Sequence, residues 1–99
     1  MSHLHGYHSA RVALSGTVTD VIPPGTIVQN VKYINSTATA TTISGTVKDS
    51  ASGSENYVVR VPANDTVVEP EQFYTAGGVR MIGPVGTEVS FRYGTTRKN

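Results

Sequence analysis

Three histidines crowd the start of this chain, His3, His5 and His8, in the run HLHGYH. In an extended segment His3 and His5 point to the same side, so two imidazoles could share one transition-metal ion. The case strengthens only if subunits meet on a symmetry axis and pool their histidines. The plainer reading is a terminal segment with incidental histidines, and no metal is assigned. The acids are Asp20, Asp49, Glu55, Asp65, Glu69, Glu71 and Glu88. Asp49 and Glu55 flank one loop, but calcium needs several converging oxygens and no spaced D-x-D-x-D pattern occurs. Glu69 and Glu71 bracket Pro70, whereas a glycosidase pair must sit on opposite sides of a cleft. A Ser/His/Asp triad is formally available. Yet every histidine lies within the first eight residues, where nothing provides rigid support for catalysis. No phosphate-cradling glycine pattern exists, and Gly77-Gly78 reads as a turn. The sequence therefore offers no catalytic, cofactor-binding or metal residue, and no enzyme is expected.

The aromatic residues point the same way. A sugar-binding platform needs coplanar exposed rings. Tyr33, Tyr57, Phe91 and Tyr93 instead fall on the apolar faces of predicted strands, leaving Tyr7 and Tyr74 as contact candidates.

The elements behind these placements are strands. The stretch from Val28 to Val61 reads as three of them, over 27–35, 41–48 and 56–61, joined by small polar residues. Each alternates apolar with polar side chains at period two and is rich in Val, Ile, Thr and Tyr, which fit a pleated surface. Strands over 10–19, 66–69, 79–82 and 87–93 complete a set of seven. The first carries Val12, Leu14 and Val18 on one face. Pro23-Pro24-Gly25 is incompatible with a central strand and marks a corner, with Val21 and Ile22 placed to plug one end. Turns are expected at 49–54, with Gly53 at positive φ, at 62–65 and at 83–86. Residues 71–76 fit either one helical turn or an irregular crossing, with Phe73 or Tyr74 entering the core. The chain then divides into an extended N-terminal arm (1–9), a β-sandwich (10–94) and a polar tail (95–99). The predicted class is all-β: one antiparallel sandwich of about seven strands, Ig-like or jelly-roll.

Composition limits the rest. Ninety-nine residues make one domain. Charged residues are 15%, below the ~25% of ordinary soluble proteins, and the net charge of +1 gives no general attraction to nucleic acid or anionic membrane. The absence of cysteine removes disulfide and thiolate chemistry, so stability must come from the core or from oligomerisation. MSHLHGYHSAR lacks a basic segment followed by an apolar one, so no secretory signal is expected and synthesis in the host cytoplasm is.

The runs YINSTATATTISGTVKDSASGS, YVVRVPANDTVV and GGVRMIGPVGTEVSFRYG, taken in order, resemble the small β-sandwich structural proteins of tailed bacteriophages. The match spans 29–94 in short, degenerate motifs and carries over no catalytic residue. The resemblance implies a virion component on the capsid surface: a decoration (cement) protein that binds and stabilises the head shell. A tail or neck subunit is the alternative within that class. A carbohydrate-binding or adhesin-like module is the alternative outside it. The implied partners are the major capsid protein or other virion subunits, and a homotrimer is expected, since decoration proteins often occupy three-fold lattice positions. Partner contacts are assigned to the arm, at His3, Leu4, His5, Tyr7, His8 and Arg11, which would order on binding.

Overall fold

The computed structural model describes residues 8–47, 55–70 and 72–94. Among these residues the chain forms nine strands and no helix: β1 (His8–Ala13), β2 (Thr19–Ile22), β3 (Thr26–Asn35), β4 (Thr41–Val47), β5 (Glu55–Val61), β6 (Asp65–Glu69), β7 (Phe73–Thr75), β8 (Val79–Ile82) and β9 (Thr87–Gly94). They make two antiparallel sheets. The first runs β1-β9-β3-β6, with β7 also pairing β3; the second runs β2-β8-β4-β5.

The pairing follows one rule. β1 pairs β9, β2 pairs β8, β3 pairs β6 and β7, and β4 pairs β5. A long hairpin rolled up on itself gives this nesting, and with β6 and β7 taken as one interrupted strand it is the jelly-roll order. The register shows the interruption. Residue numbers of β3–β6 partners sum to 100 (Asn35 with Asp65, Val31 with Glu69), those of β3–β7 partners to 101 (Val28 with Phe73). One extra residue is therefore accommodated around Pro70, which cannot donate to a ladder.

The core lies between the sheets. Val28, Val31, Tyr33, Val89 and Phe91 enter it from the first sheet, and Val21, Ile22, Ile43, Val59, Val61, Val79 and Met81 from the second. Most of these are the alternate residues of their strands, which a pleated backbone sends to a single face.

The expected strand over 10–19 is two strands in different sheets. The chain turns at Ser15-Gly16-Thr17, with Gly16 at φ 88°, and crosses from the first sheet to the second. Gly16 N–H donates to the Gly83 carbonyl over 2.8 Å, fixing the crossing against the turn before β9. Leu14 stays buried, but Val18, expected on the same inward face, is 63% exposed because the turn reverses the alternation. At the N-terminus β1 begins at His8. His8 and Ser9, expected in the arm, pair with Tyr93 and Arg92, because β9 is long enough to hold them. Of the stretch expected at 71–76, residues 72–76 are not a helical turn: Phe73–Thr75 add to β3, Phe73 packs against the core and Tyr74 faces outward. The turn expected at 49–54 lies outside the described residues.

Candidate interaction surface

Among the described residues the acids do not converge. Asp20 sits on β2 opposite Arg80 on β8, with Arg80 Nε donating to Asp20 Oδ1 over 2.9 Å. Glu88 on β9 accepts from Arg11 Nε on β1. Asp65 and Glu69 stand exposed at opposite ends of β6. Glu71, Asp49, His3 and His5 lie outside the described residues, and Glu55 is placed only as the first residue of β5, opposite Val47. Among the described residues no three His, Asp or Glu side chains gather as a metal would need.

Among the described residues, hollows open on the outside of the sandwich. One of about 320 Å³ lies between the Pro23-Pro24 corner and the Gly77-Gly78 turn. Its walls come from residues 20–24 and 77–80, and the two turns approach so closely that a Cβ on Gly78 would lie 2.6 Å from the Ile22 carbonyl oxygen. The Asp20–Arg80 pair at its rim is already satisfied. Nothing here places a nucleophile beside a base.

The two outer faces differ in chemistry. Across the first sheet the register sets Ser9, Arg92 and Asn30 in one row and Arg11, Ser90 and Lys32 in the next. Three cations and small hydroxyl groups make the β1-β9-β3 part of this face polar and basic, with Glu88 the acid among them, while Val68, opposite Lys32, and Tyr74 are exposed toward the β6 and β7 rim. Across the second sheet one row reads Asp20, Arg80, Thr46, and the next Ile82, Ser44, Val58. Val18 joins that second row where a hollow of about 260 Å³ opens over Ser44. Val58 is 66% and Ile82 39% exposed, so apolar groups cross this sheet to its β5 edge.

Of the expected contact residues, His3, Leu4, His5 and Tyr7 lie outside the described residues. His8 and Arg11 are exposed, but the strand does not bring them together. His8 shares the core side of β1 with its partner Tyr93, their ring centroids 5.4 Å apart. Arg11 points outward and is tied to Glu88. The apolar row of the second sheet is not foreseen from the sequence. Val58 and Ile82 are each legible there as the outward member of an alternating strand; their alignment requires the pairing order.

No family model matches the chain, and no curated protein matches it in sequence. Among solved structures it is similar to a chain described under the words "Bacillus endospore appendages form a novel family of disulfide-linked pili". The TM-score is 0.53 at 10% identity, over 96% of this chain and 88% of that one. The likeness is one of fold alone.

Proposed function

We propose that this chain is a non-enzymatic structural subunit that acts through its outer surface as part of a larger assembly. The observation that carries this reading is the filling of the molecule: apolar side chains from both sheets close the interior, and among the described residues the acids Asp20, Asp65, Glu69 and Glu88 lie apart from one another. Binding energy must then come from outer faces, edges and terminal segments. The phage-like order of the segments supports the finer form of the proposal, a decoration protein of a phage head shell, docked on the major capsid protein and repeated around the lattice as a homotrimer. Its place is the virion surface.

A second form is favoured by the fold likeness to a pilus protein: a subunit of a filament. The description of that neighbour names disulfide links, and this chain has no cysteine, so any filament it forms is held without them. The carbohydrate-binding form is supported less, since Tyr33 and Phe91 are buried and build no exposed platform with Tyr74.

The test is co-sedimentation of the purified chain with phage head shells, alongside electron microscopy of the chain alone. Saturable binding to shells supports decoration, and filaments without shells support the pilus form. A chain that does neither, at any concentration reached, overturns the proposal.

A further inference from the structure

A strand at the rim of a sheet leaves half its backbone N–H and C=O groups without a strand partner. Among the described strands there are four such rims: β1 and β6 (with β7) in the first sheet, β2 and β5 in the second. Three of them are unsuited to taking a further strand. β2 has four residues, shifts register between Asp20 and Ile22, and runs into Pro23-Pro24. β6 sets Asp65 and Glu69 on the core side of its sheet, opposite the buried Asn35 and Val31, and ends at Pro70. An added strand there would push two carboxylates against its own apolar face. β1 carries two alanines and a serine in six residues, with the charged Arg11 among them.

β5 is less guarded than these three, its charges being Glu55, the first residue of the strand, and Arg60. Its seven residues ENYVVRV pair β4 without a register shift, contain no proline, and are rich in strong strand formers. It is also where the apolar row Ile82–Ser44–Val58 reaches the rim. We propose that β5 is a dimerisation edge: β5 of a second copy pairs with it antiparallel about a two-fold axis at Val58, making one eight-stranded sheet from two second sheets.

Both the faces and the charges fit that register. Antiparallel pairing about Val58 sets Val58 against Val58, Asn56 against Arg60 and Glu55 against Val61. Each face of the strand thus meets the same face of its copy, and no two like charges stand opposite each other. The apolar row of one copy continues into that of the other. A two-fold contact is self-complementary and closes, so the edge is consumed rather than left to recruit further chains. The inference rests on the coarser reading of a structural subunit, names the first partner as a second copy of this chain, and replaces the homotrimer of the decoration form with a two-fold pair.

The experiment is sedimentation velocity on the full chain and three variants, with a cysteine variant for geometry. Val58→Lys sets two ammonium groups across the axis and should raise the dimer dissociation constant by roughly tenfold or more. Val85→Lys, at a position 74% exposed in a turn outside β5, should leave the dimer intact. Ile82→Lys separates edge pairing from face-to-face packing: it lies two strands inside the sheet and should also leave the dimer intact. Val58→Cys should oxidise to a covalent dimer, since paired strands bring Cα atoms within disulfide reach. A chain that is monomeric or trimeric, a Val58→Lys variant that stays dimeric, or an Ile82→Lys variant that dissociates overturns the inference. A monomer that still binds shells would sink the edge pairing while leaving the assembly proposal standing.

Discussion

The side-chain amide of Asn35, at the end of β3, donates to the carbonyl of Val61, at the end of β5, over 3.3 Å, and so ties the two sheets together. The same nitrogen faces the carbonyls of Thr39 at 2.9 Å and Pro62 at 3.1 Å. Its oxygen accepts from the backbone N–H and the hydroxyl of Thr37. One side chain, 1% exposed, thereby fastens the β3–β4 loop and the β5–β6 turn to one point. Buried polar groups are mostly satisfied, and here the two hydrogens of the amide are shared among three carbonyls while its oxygen accepts twice from Thr37.

Asn35→Ala should therefore cost about 2–4 kcal/mol, because buried carbonyls lose their donor and a cavity opens. Asn35→Asp should be no better, since an ionised carboxylate has no hydrogen to give to three carbonyls. Urea denaturation of both variants checks this. Loss of under about 0.5 kcal/mol in Asn35→Ala would mean that the loop and the turn hold without it.

Glycines at positive φ should sort by their surroundings. Gly78→Ala and Gly86→Ala should each cost about 2 kcal/mol or more, since the new Cβ lies 2.6 Å from the Ile22 carbonyl oxygen or from Thr37 Cγ2, in addition to backbone strain. Gly16→Ala and Gly25→Ala share the positive φ but meet nothing within 4 Å, so strain alone, about 1 kcal/mol, should remain. Equal losses at all four positions by thermal denaturation would contradict the close approaches.

Core truncations should separate from surface ones. Ile43→Ala and Phe91→Ala remove buried side chains and should cost about 3–5 kcal/mol. Val85→Ala, at a position 74% exposed, should stay within about 0.5 kcal/mol. Calorimetric unfolding of the three would show the separation, and a large loss at Val85 would place it in a contact between copies.

The surface ion pairs should matter little to folding. Asp20→Asn and Glu88→Gln break the pairs with Arg80 and Arg11, whose side chains are largely exposed. Each should change stability by less than about 1 kcal/mol, with the difference shrinking further in high salt. A greater loss in denaturant titrations would show a structural role.

Alternation is enough to place the strands from Thr26 to Asn35 and from Val79 to Ile82, since period two is a local property of the pleat. The split between β1 and β2 is not legible, because Ser15, Gly16 and Thr17 are small residues that also occur within strands. Nor is β7, three residues long, whose strand character comes from pairing with β3 rather than from its own pattern. Asn35 closes an alternating run and looks like the start of a turn; its grip on Val61 and Pro62 depends on residues 26 and 27 positions away. The choice of jelly roll over Ig-like order, and with it the apolar row of the second sheet, rests on pairings such as Asp20 with Arg80, which no local window contains.

Composition of purified assemblies tests the central claim most directly. Quantitative mass spectrometry of virions or filaments from cells making this chain should find it as a stoichiometric, high-copy component that withstands repeated purification. Recovery of the chain solely as a free species, absent from every particle and filament, would contradict a structural subunit.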